Sequence, residues 1–125
     1  MSYFITGANG FIGRSLAAHL RERGDDVSGV DITASPDHGV FAGDVTDAAS
    51  WADRIPAGAI VVHTAALVSN LPTLVEAWRV NTLGTRRLLD AAVAAGAGRF
   101  VYVSSVRAFS DLGFPDGVTE AHPLR

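Results

Sequence analysis

Glycine residues are concentrated near the N-terminus, where they could hold a phosphate group. The segment is Thr6-Gly7-Ala8-Asn9-Gly10-Phe11-Ile12-Gly13. Gly7 allows a tight turn, Gly10 lets phosphate oxygens approach the backbone, and Gly13 lets a helix pack closely on a sheet. The first N–H groups of a helix are unpaired and carry partial positive charge, so they bind an anion without a lysine. The segment therefore predicts a nucleotide pyrophosphate site.

The residues on either side of the glycines predict the strand and the helix that such a site requires. Tyr3 to Ile5 is a short apolar run, which predicts a strand. Ile12, Leu16 and Leu20 recur every four residues and mark one face of a helix. Gly24 is then expected to end that helix.

An acidic residue, Asp31, follows the second apolar run, Val27 to Val30. It lies roughly 20 residues after the glycines, the spacing of a dinucleotide site. A carboxylate there accepts hydrogen bonds from the adenosine ribose hydroxyls and repels a 2′-phosphate, which favours NAD over NADP. The alternative is that Asp31 only begins the following turn, since Asp is common in turns.

A second acid, Asp44, follows the third predicted strand, Val40 to Ala42. At the carboxyl end of a strand it could receive a hydrogen bond from an adenine amino group, or it could be a turn residue, and the sequence favours neither interpretation. Thr46 or Asp47 is expected to cap a helix that holds Trp51.

The fourth predicted strand, Ile60 to Val62, is continuously β-branched, as in a strand covered on both faces. It leads through His63 to Ala65 and Ala66, whose small side chains leave room for a cofactor across the strand end. No acid at useful spacing accompanies His63, so a packed or hydrogen-bonded structural histidine is predicted rather than a base.

A helical pattern from Pro72 to Ala95 precedes the fifth predicted strand, Phe100 to Val103. Asn81 and Gly84 are poor residues for a helix interior, so we expect a close packing contact or a side-chain bond to a neighbouring strand. Residues 111–125 lack periodicity and are predicted to form a loop.

The alternation of strands and helices indicates one α/β domain over residues 1–125. Parallel βαβ units with right-handed crossovers place helices on both faces of the sheet. The expected architecture is a doubly wound parallel sheet of five strands in the order 3-2-1-4-5.

Composition limits the classes of partner. The chain has 125 residues, 48% of them apolar, and a net charge of −3, which argues against nucleic acid or an anionic membrane. All ten basic residues are arginine, and there is no cysteine for disulfides or thiolate chemistry. No metal site, targeting segment or membrane span is predicted, and a cytoplasmic protein is expected.

Together these motifs resemble the extended short-chain dehydrogenase/reductase family, which includes NAD-dependent sugar epimerases and dehydratases and 3β-hydroxysteroid dehydrogenases. The resemblance covers essentially the whole chain and implies a Rossmann-type fold. The motifs that carry it are, in chain order, Thr6 to Gly13, Asp31, Gly43-Asp44-Val45, His63-Thr64-Ala65-Ala66, Asn81-Thr82-Leu83-Gly84-Thr85 and Tyr102-Val103-Ser104-Ser105.

The resemblance implies a role for each of these motifs. The cofactor pyrophosphate lies on the glycine turn, Asp31 holds the ribose and Asp44 meets adenine, while Asn81 braces the sheet near the active site. Ser105 is the implied catalytic residue, which positions the substrate hydroxyl or carbonyl. The implied NAD-binding residues are Gly7, Gly10, Phe11, Ile12, Gly13, Asp31, Ile32, Asp44, Val45, Ala65, Ala66 and Asn81.

The family's chemistry also needs a tyrosine base with a lysine four residues later, because the lysine lowers the tyrosine pKa. The two tyrosines, Tyr3 and Tyr102, are followed four residues on by Gly7 and Val106, and the chain has no lysine. We therefore interpret the chain as the NAD-binding part of a longer enzyme, truncated before the Tyr/Lys helix and the substrate domain.

The parent activity expected from the resemblance is hydride transfer between NAD and a secondary alcohol or ketone on a sugar nucleotide or steroid-like substrate. This chain alone is expected to be inactive. One alternative is a non-catalytic dinucleotide-binding sensor or scaffold module. Another is an atypical reductase that prefers NADP, although the nearest arginines, Arg23 and Arg54, are not adjacent to Asp31 in sequence.

The resemblance also implies self-association. Relatives pair the long helix with the catalytic helix at a dimer interface, so this chain should expose apolar surface around the Pro72 to Ala95 helix and an open strand edge. A homodimer or other self-association is therefore expected. The sequence leaves the substrate and the stereochemistry of the reaction open.

Overall fold

In a computed structural model of the chain, five parallel strands form one sheet. The structure describes residues 1–68, 73–109, 113 and 116–124. The strands lie in the order β3-β2-β1-β4-β5, which confirms the predicted topology. Their bounds are Ser2–Thr6 for β1, Asp26–Asp31 for β2, Val40–Ala42 for β3, Ile60–His63 for β4 and Arg99–Tyr102 for β5.

Two helical stretches make the crossovers beside the sheet. Helix α1 (Phe11–Glu22) connects β1 to β2, and Gly24 follows it at φ +84°, as expected of a glycine that ends a helix. The second stretch is continuous and precedes β5. It consists of α2 (Leu74–Ala77), a π-helical segment (Trp78–Gly84) and α3 (Thr85–Ala94). Pro72, where the predicted pattern begins, lies outside the described residues.

Neighbouring residues of the central strands face two separate cores, because side chains alternate across a sheet. Phe4 and Val61 belong to the core beneath α3, whereas Ile5 and Val62 belong to the core beneath α1. The α3 core buries Phe4, Val30, Val45, Trp51, Ile55, Val61, Leu88 and Ala92. The α1 core buries Ile5, Ala8, Ala17, Leu20, Val40 and Val62. The sheet is thus covered on both faces, as predicted.

The prediction of a helix around Trp51 is wrong. Two three-residue 3₁₀ turns, Ala48–Ser50 and Ala52–Arg54, replace it, because Trp51 between them leaves the helical conformation at φ −149°. That bend places a fully buried Trp51 ring in the α3 core. Neither Asp47, the residue before the first turn, nor Thr46 caps a helix there with its side chain.

Strand ends differ from the predicted bounds by about one residue, the usual uncertainty of such boundaries. β4 extends through His63, and β5 ends at Tyr102 rather than Val103. Of the loop predicted over residues 111–125, the structure describes 113 and 116–124, which form neither helix nor strand.

Candidate functional site

Close backbone contacts shape the turn between β1 and α1. Gly7 has φ +67°, and a Cβ atom there would lie 2.8 Å from the Ala65 nitrogen. A Cβ atom on Gly13 would lie only 2.2 Å from the Gly7 carbonyl oxygen. Glycine is therefore required at both positions, and the turn lies directly against the residues that follow β4.

The N-terminus of α1 is open to solvent. Gly10 precedes the helix in extended conformation, and its carbonyl accepts the first helical hydrogen bond, from the Arg14 N–H at 3.0 Å. The N–H groups of Phe11, Ile12 and Gly13 come before that bond. No acidic residue occupies the first turn. These N–H groups and the positive end of the helix dipole can receive an anion.

The carboxylate of Asp31 joins the glycine turn to the end of β2. Oδ2 accepts the Asn9 N–H at 2.9 Å, and Oδ1 accepts the Ile32 N–H at 2.7 Å. The bond to Ile32 is what a turn residue makes. Each carboxylate oxygen has a further lone pair, so Asp31 can also accept hydrogen bonds from a ligand.

Asp44 forms a turn with Thr46 through one carboxylate oxygen. Oδ1 accepts both the Thr46 N–H at 2.8 Å and the Thr46 hydroxyl at 2.7 Å. These hydrogen bonds, together with the nearby Arg79 guanidinium, hold the pKa of Asp44 below its usual range, so the group is ionised at neutral pH. Oδ2 lies 4.0 Å from Arg79 Nη1 and takes no bond from Thr46.

His63 is buried in a chain of hydrogen bonds whose direction can be assigned. The Thr85 hydroxyl donates to the Asn81 carbonyl at 2.7 Å, so it must accept from His63 Nε2–H at 2.8 Å. Nδ1 then carries no proton and accepts from the Thr6 hydroxyl at 2.6 Å. Burial lowers the pKa of His63 to about 4, which agrees with a neutral ring. His63 is therefore a structural, hydrogen-bonded residue.

The π-helical segment contacts two loops at the strand ends. Asn81 bonds the backbone of Leu67 at both groups, accepting from its N–H at 2.7 Å and donating to its carbonyl at 3.2 Å. A Cβ atom on Gly84 would lie 2.8 Å from Val45 Cγ2. Gly84 thus makes the expected close packing contact, and Asn81 makes the expected side-chain bond. The Asn81 bond reaches the segment after β4 rather than the strand itself.

These elements surround a cavity of about 540 Å³ at the carboxyl ends of β1, β2 and β4. That edge of an open α/β sheet is where ligands bind. Ten of the twelve residues predicted to bind the cofactor line it, and Gly13 and Asn81 are not among the lining residues. The lining residues are Gly7, Gly10, Phe11, Ile12, Val30, Asp31, Ile32, Gly43, Asp44, Val45, Thr64, Ala65, Ala66, Leu67, Val68, Arg79 and Val80.

Arg79 is the charged lining residue that sequence reasoning missed. No motif marks it, because an arginine in a helix is ordinary and its partners lie 33 and 35 positions earlier in the chain. Only the folded structure brings it to the cavity.

Ser105 is not among the residues that line the cavity. It is exposed, and its Oγ accepts the Arg107 N–H at 3.2 Å at the start of a 3₁₀ turn, Val106–Ala108. It follows β5, which pairs with β4 in the register His63 to Tyr102. The structure therefore places Ser105 beyond the neighbouring strand end, apart from the glycine turn.

Within the described part of the chain, no helix is long and apolar enough to cross a membrane. The same residues include no cluster of three or more His, Cys, Asp or Glu side chains able to hold a metal ion.

Comparison with known proteins identifies the family. Residues 3–125 match the model of the NAD dependent epimerase/dehydratase family. The chain belongs to this family. The match spans nearly the whole sequence, so the epimerase/dehydratase domain includes the glycine turn, both acids and the π-helical segment.

Relatives of this epimerase/dehydratase domain are longer than the chain. This chain is 34% identical over 113 residues to a 3-beta-hydroxysteroid dehydrogenase of Mycolicibacterium neoaurum, and the alignment covers 81% of this chain and 31% of that protein. A short-chain dehydrogenase/reductase superfamily protein of Agrobacterium tumefaciens, solved with bound NAD, is 38% identical with a TM-score of 0.87, covering 100% of this chain and 39% of that one.

A UDP-glucose 4-epimerase of Thermus thermophilus, solved in complex with NAD, is 28% identical with a TM-score of 0.83. The alignment covers 100% of this chain and 44% of that one. The chain thus spans between 31% and 44% of the length of these three proteins. The predicted family and fold are both confirmed.

Proposed function

We propose that this chain binds NAD in the cavity at the strand ends. The observation that carries the proposal is that one cavity of about 540 Å³ is lined by the glycine turn, Asp31 and Asp44. The absence of side chains at the glycines and the open N-terminus of α1 fit a diphosphate. Both structural relatives described above were solved with NAD.

The remaining lining residues suit the other parts of the dinucleotide. Asp31 would accept the ribose hydroxyls, with Ile32 beside it, and Asp44 and Val45 would meet adenine. Ala65 and Ala66 are small and would leave room for the middle of the cofactor. Gly13 and Asn81 would support these contacts indirectly, Gly13 through its close approach to Gly7 and Asn81 through its bonds to Leu67.

The arrangement favours NAD over NADP. Asp31 is a carboxylate at the position where a 2′-phosphate would lie. The nearest arginine on each side of it in sequence is engaged elsewhere. Arg23 pairs with Asp25 at 3.6 Å, and Arg54 lies over the Phe41 ring at 4.5 Å.

The proposed activity of the whole protein is hydride transfer with a secondary alcohol or ketone of a sugar nucleotide or steroid-like substrate. The bound NAD supplies the hydride acceptor or donor. Ser105 would hold the substrate hydroxyl or carbonyl. The chain contains no Tyr-x-x-x-Lys pair, so we expect the 125 residues alone to show no hydride transfer, and measurable turnover would contradict this.

A second candidate is a non-catalytic dinucleotide-binding sensor or scaffold module. The observation that favours it is that neither tyrosine is among the residues lining the cavity. Tyr3 lies within β1, and the ring centroid of Tyr102 lies 5.8 Å from that of His63. A sensor should bind NAD and NADH with different affinities, which calorimetric titration of both redox forms would measure.

We also propose that the chain self-associates in solution. Leu74, Val75, Trp78 and Val93 of the long helical stretch are exposed, as is Tyr102 of the edge strand. Exposed apolar residues of this number favour association. Light scattering over a range of concentrations should show a mass above the monomer, and a constant monomer mass would refute this.

Calorimetric titration of the full chain tests the central proposal. We expect NAD to bind more tightly than NADP, and Asp31→Asn to weaken NAD by about tenfold, since a charged acceptor is lost. The same change should reduce the preference for NAD over NADP. Asp53→Asn, at an exposed aspartate that pairs with Arg54 at 3.9 Å, is the matched control. Wild-type chain that binds neither dinucleotide would overturn the proposal.

A further inference from the structure

Two arginines of the long helical stretch converge on one buried threonine, Thr46. Arg79 Nη1 donates to Thr46 Oγ1 at 3.0 Å, and Arg87 Nη1 donates to the Thr46 carbonyl. Thr46 is 6% exposed, so its hydroxyl has little access to water. The helix is therefore tied by side chains to the loop that follows β3.

The direction of the hydrogen bonds at Thr46 determines which carboxylate oxygen of Asp44 receives donors from the protein. A threonine hydroxyl has one hydrogen, and here it goes to Asp44 Oδ1 at 2.7 Å, while the oxygen accepts from Arg79. The Thr46 N–H also goes to Oδ1, at 2.8 Å. Oδ1 thus has two donors.

The second carboxylate oxygen of Asp44, Oδ2, receives no hydrogen bond from Thr46. Oδ2 lies 4.0 Å from Arg79 Nη1, close enough for charge attraction but too far for a hydrogen bond. Asp44 lines the cavity, so it presents to a ligand a carboxylate with one oxygen open to accept a hydrogen bond. Arg79 contributes to this state through Thr46 and through its own charge.

We infer that Arg79 is a positioning residue that makes the cavity select a purine with an amino group at C6 over one with a carbonyl there. The inference rests on the proposed binding of NAD. An amino group donates to the open Oδ2, whereas a carbonyl oxygen at the same place would face an ionised acceptor with no hydrogen between them. Such an unpaired contact costs binding energy.

Arg79 also lines the cavity itself, and a direct contact with the dinucleotide is the competing explanation. The two explanations differ in what they predict for the base. A direct contact with phosphate or ribose is shared by all dinucleotides, so its loss weakens them equally. A role through Asp44 affects only a cofactor whose base donates to Oδ2.

Titration with NAD and with nicotinamide hypoxanthine dinucleotide separates them. Hypoxanthine differs from adenine in carrying a carbonyl oxygen at C6. We expect wild-type chain to prefer NAD, and Arg79→Met to weaken NAD by about fivefold, as the loss of one supporting hydrogen bond would. Binding of the hypoxanthine analogue should change less than about twofold, within the range of a site that loses no contact. Arg79→Lys should restore part of the preference.

Arg86→Met is the matched control, because Arg86 belongs to the same helical stretch but pairs with Asp90 at 3.0 Å on the exposed face. It should leave both affinities unchanged. Equal weakening of both dinucleotides by Arg79→Met, or weakening of neither, would overturn the inference while leaving NAD binding intact. Wild-type chain that does not discriminate between the bases would also overturn it. Failure to bind either dinucleotide would instead overturn the proposed function.

Discussion

The two walls of the cavity are built in different ways. The glycine wall, residues 7–13, is shaped by backbone atoms in contact, with a Cβ on Gly13 excluded at 2.2 Å. The braced wall, residues 44–46 and 64–67, is held by side chains of the helical stretch, including Arg79 and Asn81. The glycine wall should be destabilised by a substitution that adds an atom. The braced wall should be destabilised by one that removes or reverses a hydrogen bond.

The largest effect is expected at the glycine wall. Gly13→Ala places a methyl group 2.2 Å from the Gly7 carbonyl oxygen, so α1 must move away from the turn. We expect a loss of at least about 3 kcal/mol in the free energy of unfolding, at the upper end for overpacking. Urea denaturation followed by circular dichroism measures it.

Gly10→Ala is the comparison within the same turn. Among the described residues, its Cβ would meet the Gly7 carbonyl oxygen alone, at 3.1 Å, and Gly10 already has an ordinary φ of −72°. We expect a loss below about 1 kcal/mol, typical of a small strain at an exposed site. If Gly10→Ala and Gly13→Ala were equally destabilising, the close approach at Gly13 would not be what shapes this wall.

The contrast also explains what the sequence could predict. The glycine turn can be recognised in the sequence because its residues are adjacent and Asp31 follows at a fixed spacing. Each of its glycines also has a physical role that favours glycine. The strands and their order follow from apolar runs alternating with helical periodicity. The helix at Trp51 was mispredicted because burial of one ring bends the backbone there, which no local pattern records.

The braced wall was less predictable. Asn81 and Gly84 stand out in the sequence only because they are poor helix residues, and the sequence predicts neither the π-helical segment nor their partners. Arg79 gave no signal at all. Its role depends on Thr46, 33 positions earlier, and such pairings exist only after the sheet has formed.

The next largest effect is expected from protonation of His63, which links Thr6 to Thr85 of the helical stretch beside the braced wall. His63 is neutral in the folded protein, and burial lowers its pKa from an ordinary 6.5 to about 4. Between these values the unfolded chain binds the proton more readily. The stability contributed by neutral His63 is therefore complete above about pH 6.5 and lost as the pH falls toward 4, by up to about 3 kcal/mol.

Urea denaturation of wild-type chain and His63→Gln from pH 7 to 4 checks this. The variant has no ring to protonate, so its stability should fall less over that interval, even if it is lower at pH 7. The carboxylates of Asp25, Asp44 and Glu76 have lowered pKa values, so the stability that they contribute is also lost in acid, but equally in the wild type and the variant. Parallel curves would show that His63 does not carry the pH dependence.

An effect smaller than those of Gly13→Ala and of His63 protonation is expected at Asn81, which bonds the Leu67 backbone at 2.7 and 3.2 Å. Asn81→Ala leaves a partly buried N–H and carbonyl without those partners, which should cost about 1 to 2 kcal/mol. Thr82→Ala, at the exposed neighbour in the π-helical segment, should cost less. Asn81→Asp sharpens the test, because its second oxygen would face the Leu67 carbonyl where the amide had donated. It should therefore be no more stable than Asn81→Ala, and full stability of the aspartate variant in urea would show that the donated bond does not hold this wall.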